Sequence, residues 1–326
     1  MLRFVARRLV NYVILVFVAT SLAYLLASLT LDPIANYQHG GAKTNLVAAH
    51  SLLRSYNIDP DTPVWTRYWH WLTRIVLHGD FGRSLPGGSS VTSEMGRKIG
   101  VSLRLLLIGS VLSVVIGVLA GVYSALHQYR PSDHITSVVS FVLLSTPVFL
   151  LATLLKLGAI KLHQNYGVDL PTSSEYSVGQ SGNIGNRIQH LILPTIALVL
   201  GPAGAAFFAR YQRSAMLDVL GSDFIRTAQA KGLSRRKAFY KHGLRTALIP
   251  MATFFAFQFG TLIVGAVFTE KIFNWYGMGA WSVDTINSND INGVAGVVGF
   301  TAFMILIAGT LSDVFYAILD PRVRVN

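Results

Sequence analysis

Cysteine is missing from the chain altogether, which excludes disulfides, thiolate metal sites and thiol nucleophiles. Charge is nearly as scarce: Asp, Glu, Lys and Arg make up 13% of 326 residues against 52% hydrophobic, and mean hydropathy is +0.49. A chain so poor in charge is embedded in lipid rather than folded in water. The scarcity is sharpest in six stretches, roughly Val10–Leu31, Leu105–Leu126, Ile135–Leu155, Leu191–Ala209, Thr246–Thr269 and Val294–Ser312, where Asp, Glu, Lys, Arg and His are all absent. Each is close to the about 20 apolar residues that cross a hydrocarbon core. Alternation of period two is absent from them, which excludes a barrel, and unsolvated backbone groups then require helices. The expected fold is an all-α integral membrane protein with six transmembrane helices. The first apolar run exceeds the about 7 to 15 residues of a signal peptide and is expected to remain as a helix.

Several kinds of machinery are missing too. Ion-coupled transporters carry ionisable groups inside the membrane, whereas here Arg104, Lys156, Arg210 and Asp313 sit only at or near span ends. The nearest approach to a phosphate cradle, Gly40-Gly41-Ala42-Lys43-Thr44, lacks the glycine before the lysine. If ATP supplies the energy, another polypeptide binds it. No Gly-x-Ser-x-Gly elbow occurs, and His70 and His78, on one helical segment, lack the spacing of metal ligands. No catalytic group, metal ligand or bound cofactor is expected. An ion-coupled transporter and a scaffold without flux remain as alternatives.

The charge that is present is uneven. Net charge is +12, and the excess lies beside the spans, where anionic lipid headgroups and membrane topology favour it; nucleic acid is not an expected partner. Arg3, Arg7 and Arg8 precede the first span, and Arg322 and Arg324 follow the last. The positive-inside bias places both termini in the cytoplasm. The loop after the fourth span carries nine basic residues (Arg210, Arg213, Arg226, Lys231, Arg235, Arg236, Lys237, Lys241 and Arg245) against Asp218 and Asp223, which puts it on the same side. The segment between the first two spans, 32–104, is too long for that rule. Within it Val64–Leu77, rich in Trp and Tyr, suits either a helix lying at the membrane interface or a landing surface for a partner.

Asp223 to Arg245, DFIRTAQAKGLSRRKAFYKHGLR, is the most patterned part of the chain. Ser222 or Asp223 can cap a helix through Ala230, Gly232 suits a left-handed stop, and Ser234 can cap a second short helix. Ile225, Ala228, Leu233, Phe239 and Tyr240 would form a small apolar docking face flanked by cations. A solvated loop whose charges only set topology fits the same spacing. Elsewhere, Gly117-x-x-x-Gly121 suits close helix packing, Pro147, Pro194, Pro202 and Pro250 are candidate kinks, and the mid-span Gln258 is a candidate for lining a path.

Arg226-Thr227-Ala228, three residues, Gly232, nine residues, then His242-Gly243-Leu244-Arg245 resembles the EAA loop of permease subunits of binding-protein-dependent ABC importers, in the form of the peptide and nickel branch. Gly79-Asp80-Phe81-Gly82-Arg83-Ser84, His190-Leu191-Ile192-Leu193-Pro194, Ala247-Leu248-Ile249-Pro250, Glu270-Lys271-Ile272-Phe273-Asn274-Trp275 and Leu319-Asp320-Pro321-Arg322 are similar to the same branch, so the likeness spans the chain. The long segment 32–104 is similar to its B-type subunits. The resemblance implies a type I importer (MetI-like) permease fold in a bacterial cytoplasmic membrane, divided into 1–104 and a core of five helices over 105–326 with a cytoplasmic coupling loop, 210–245. It implies peptide, nickel or another small solute as cargo, a second permease subunit, an external substrate-binding protein, and two cytoplasmic ATPase domains holding ATP and Mg. Coupling to those ATPases would fall to Arg226, Thr227, Ala228, Gly232, Leu233, Ser234, Arg235, Arg236, Phe239, His242, Gly243 and Arg245.

Overall fold

The computed structural model describes residues 2–38, 46–85 and 87–319, and the side chains of these outside 2–9, 235–236, 252–253, 256–265 and 312–319. Among the described residues the architecture is helical throughout, with one isolated bridge between Arg83 and Ser90. The helices are α1 (Leu2–Thr30), α2 (Ala35–Gln38), α3 (Leu46–Ser55), α4 (Val64–His78), α5 (Val91–Leu126), α6 (Pro131–Ser145), α7 (Val148–Tyr166), α8 (Ile184–Leu200), α9 (Ala205–Leu220), α10 (Asp223–Ala230), α11 (Arg235–Ala238), α12 (Leu244–Ile272), α13 (Met278–Asn287) and α14 (Ile291–Leu319). They form two compact units, Met1–Ser102 with Tyr276–Leu306, and Leu103–Trp275 with Ile307–Asn326.

The first unit is built around aromatic packing. Tyr24 of α1 stacks on Trp71 of α4 at 4.4 Å between ring centroids, and Tyr68 Oη donates to Ser21 Oγ at 3.0 Å. α4 therefore lays one face on α1 and turns Trp65 and Trp69 outward, as a helix at a lipid interface does. Arg67 is not on that outer face: it is buried, and its Nε donates to Thr62 O at 3.0 Å. The Gly79–Ser84 motif is a clamp. Asp80 accepts from Arg74 Nη2 at 2.7 Å and from Gly82 N–H at 2.9 Å, while Ser84 Oγ donates to the buried Asp290. Burial alone would raise the Asp80 carboxyl, but the Gly82 N–H and Arg74 together hold it below the ordinary carboxylate value.

In the second unit two expected spans are broken. The stretch Ile135–Leu155 was expected as one helix, but α6 and α7 meet at an angle of 104°. Thr146 is extended there (φ −93°, ψ 121°), the conformation that a following proline imposes, and Pro147 opens the new helix without an N–H to donate. The fourth stretch bends by 43° between α8 and α9 across Gly201–Gly204. Pro194 and Pro250, by contrast, lie inside α8 and α12. Among the described residues Val10–Gln38, Val91–Leu126 and Ile291–Leu311 are long and apolar enough to cross a membrane, and the total reaches five if each bent pair is one span. The expected fifth span, Thr246–Thr269, lies within the 29 residues of α12.

Close contact at small residues joins α5 to α9. A Cβ at Gly117 would come within 2.5 Å of Ala205 O and Phe208 Cβ, and one at Gly121 within 2.5 Å of Ala209 O. The Gly117-x-x-x-Gly121 pattern is thus a packing face. Other motifs fix loops: His190 Nδ1 lies 3.0 and 2.9 Å from Ser173 O and Ser174 O, and Ser174 N–H donates to Phe273 O at 2.8 Å.

Candidate functional site: the basic loop between α9 and α12

Ser222 occupies the position before α10, yet its hydroxyl donates back to Val219 O at 2.6 Å instead of capping the helix. The C-terminus of α10 closes as the sequence indicates. Gly232 adopts φ +94°, its N–H donates to Gln229 O at 2.9 Å, and the Leu233 N–H reaches Ala228 O at 3.3 Å. This pairing satisfies the last carbonyls of a helix and places a left-handed residue where a side chain is disfavoured. Ser234 Oγ then accepts from Lys237 N–H at 3.4 Å.

The second helix is not separate. α11 passes directly into a π turn, Phe239–Gly243, which continues into α12, with Leu244 N–H returning to Phe239 O. No loop intervenes between α11 and the helix that carries the fifth apolar stretch.

Of the expected apolar docking face, Ile225, Ala228, Leu233 and Phe239 turn inward and Tyr240 stays outside. Ile225 and Phe239 are fully buried, as is Ala238, and Ala228 is 8% exposed; they pack with Val122, Ala125, Met216, Val219 and Ala247. Leu233 is half-buried against them. Gly243 is buried, and a Cβ there would approach Phe239 Cδ2 at 2.8 Å and Val219 Cγ1 at 2.9 Å. These side chains hold the loop onto its own unit. What it presents is Tyr240 with Phe224, both exposed, together with the exposed Arg226, Thr227, Lys231, Lys237, Lys241, His242 and Arg245 of the same segment. Of the expected coupling residues, Arg226, Thr227, Gly232, Ser234, His242 and Arg245 are thus outward, and Ala228, Phe239 and Gly243 inward. The backbone of Arg235 and Arg236 lies in α11, but their side chains, like that of Gln258, lie outside those described.

Beneath the loop sits an ion pair that sequence reasoning missed. Asp133 on α6 is 2% exposed and accepts from Arg213 of α9 through both oxygens, Nε at 2.7 Å and Nη2 at 2.8 Å. Ser124 Oγ at the end of α5 and the Tyr129 N–H at 3.0 Å complete its acceptor positions. A bidentate pair of this kind is directional as well as strong. It ties the start of α6 and the end of α5 to the middle of α9, and α5 and α9 are the helices against which the loop packs. Sequence spacing could not have revealed it, because the partners are 80 residues apart and Arg213 reads as one more topological cation.

Comparison with known proteins bears on the same region. Residues 114–325 match the family model described as binding-protein-dependent transport system inner membrane component, which takes in the whole loop. The chain is 48% identical over 331 residues to the oligopeptide transport system permease protein OppB of Mycobacterium bovis, with 100% of both chains covered. It is 36% identical over 263 residues to the oligopeptide transport system permease protein AppB of Bacillus subtilis, covering 80% of this chain and 81% of that one. It is 33% identical over 285 residues to the dipeptide transport system permease protein DppB of Escherichia coli, covering 81% and 82%. With a family match over more than half its length and relatives aligned along all of it, the chain belongs to the binding-protein-dependent transport system inner membrane components, as a permease of the OppB and DppB kind.

Proposed function

We propose that the chain is one of two membrane-spanning permease subunits of an ATP-driven importer that moves peptides delivered by an external substrate-binding protein. Six spans with both termini in the cytoplasm, 32–104 outside and 210–245 inside, are part of this reading; the distribution of Arg and Lys supports it. So does the peptide transport named for the relatives. ATP and Mg would be held by two cytoplasmic ATPase domains on other polypeptides, and no cofactor by this chain.

The observation that carries the proposal is the loop's two-sidedness. Its apolar side is spent on its own unit, while Phe224 on α10 and Tyr240 in the π turn stand exposed in a segment rich in cations. Exposed aromatics flanked by cations suit docking to a groove on a partner. Closure of the ATPases would push on α10 and α11, and the unbroken path through the π turn into α12 would carry the displacement into the membrane as a rigid-body change.

The test is Gly232→Val in the reconstituted complex. No heavy atom lies within 4 Å of a Cβ at Gly232, so the substitution acts through the backbone, where φ +94° disfavours a β-branched residue. Substrate-stimulated ATP hydrolysis should fall while the complex still assembles; unaltered stimulation would refute the proposal.

A further inference from the structure

Between α3 and α4 the chain makes two tight turns. Asn57 adopts a left-handed φ of 63°, and its N–H and that of Ile58 return to Arg54 O and Leu53 O, each at 3.0 Å, closing α3. Asp59-Pro60-Asp61-Thr62-Pro63 follows, a turn closed by the Thr62 N–H on Asp59 O at 3.1 Å and stiffened by its two prolines. This turn aims two carboxylates back at one face of α3. His50 Nδ1 lies 2.8 Å from Asp59 Oδ1 and 3.4 Å from Asp61 Oδ2, and the three atoms fall within 4.8 Å of one another. Asp59 is wholly buried, and its second oxygen accepts from Arg54 Nε at 2.7 Å.

An ion-pair cluster alone accounts poorly for that convergence. One imidazole nitrogen carries one proton, so as a donor it serves one carboxylate well. Among the described residues the Asp61 carboxylate has no other partner. A nitrogen and two carboxylate oxygens gathered within 4.8 Å of one another form the donor set of a divalent first-row transition ion, for which imidazole is a better ligand than it is for calcium or magnesium. Metal–ligand bonds of about 2.0 to 2.2 Å place neighbouring ligand atoms about 3 Å apart, which the spacings from His50 bracket. Arg54, on the oxygen turned away from the cluster, is placed as the outer partner that orients a ligating carboxylate.

We propose that His50, Asp59 and Asp61 bind a divalent transition-metal ion that ties α3 to the turn entering α4. The site is independent of the transport reading, because it needs neither a partner nor a substrate. The full chain, purified in detergent with a histidine-free tag and stripped by chelator, is titrated with Co2+, read by visible absorption, and then with Zn2+ as competitor. One equivalent of Co2+ should bind and be displaced by Zn2+, and Zn2+ should raise the melting temperature. Asp61→Asn, at a side chain 62% exposed, should leave the metal-free melting temperature unchanged and weaken binding at least tenfold; His50→Ala with Asp61→Asn should abolish it. Equal Co2+ binding by the wild type and the double variant would overturn the proposal, and so would a wild type that melts cooperatively yet takes up no Co2+.

Discussion

The ion pair beneath the basic loop gives the sharpest quantitative expectation. Asp133→Asn keeps the shape of the side chain but leaves the Arg213 guanidinium without its counter-charge at a position where Asp133 itself is 2% exposed. Removing one partner of a buried pair costs about 3 to 5 kcal/mol. The Arg213 side chain retains 29% exposure, so water screens part of the orphaned charge and the lower end, about 3 kcal/mol, is expected. That corresponds to roughly a 100-fold rise in local opening, confined to the segments the pair joins. Hydrogen exchange of the detergent-solubilised chain should therefore accelerate by about that factor around residues 124–136 and 205–220, where local opening governs protection, with little change in α3 and α4. The neutral pair Asp133→Asn with Arg213→Gln removes both charges, so the double variant should exchange more slowly than the sum of the single effects indicates. Strict additivity, or unchanged exchange in Asp133→Asn, would refute the reasoning.

Three further outcomes follow from the packing. Gly117→Val places atoms within 2.5 Å of the α9 backbone and should cost about 1 to 3 kcal/mol by overpacking, read as a lower melting temperature, whereas Gly158→Val, with no heavy atom within 4 Å of its Cβ, should shift it far less. Phe239→Ala empties a fully buried site and should destabilise by about 3 to 5 kcal/mol; Tyr240→Ala, next in sequence but exposed, should stay within about 0.5 kcal/mol and instead reduce recovery of the ATPase in a pull-down. The Asp80 carboxyl is held below its ordinary value, so the stability it contributes is complete above about pH 4 and is lost as pH falls further. Exchange across residues 79–84 should rise in that acid range in the wild type, and Arg74→Ala should remove much of the dependence.

How much of this was legible in sequence depends on the range of the interactions involved. The Gly232 stop is local: six consecutive residues contain every donor and acceptor that defines it, and the sequence pattern identified it correctly. Charge-free runs located the apolar helices for the same reason. The 104° break at Pro147 was only half legible, since a proline marks a kink without giving its angle, which depends on how α7 packs against α8 and α12. The face of the loop was misjudged because helical spacing gives which residues share a side and not which way that side turns. Ile225 and Phe239 were the most apolar members, and the body of the protein took them. Phe224 and Tyr240, left outside, are the anchors that the reading of the loop as a coupling site now rests on. Asp133 with Arg213, and His50 with Asp59 and Asp61, escaped notice because turns and tertiary packing, rather than periodicity, bring them together.

Because the chain contains no cysteine, one measurement addresses the central claim with a single labelled position in it. Single cysteines at Phe224, Tyr240, Ile225 and Trp65 are introduced in turn and labelled with a short reagent that joins a thiol-reactive group to a photoreactive group, and the assembled transporter is illuminated in the absence of nucleotide and with a non-hydrolysable ATP analogue. The account predicts cross-links to an ATPase polypeptide from 224 and 240, with nucleotide-dependent yield, and none from the buried 225 or from 65 on α4. No cross-link from 224 or 240 in a complex that hydrolyses ATP would contradict it.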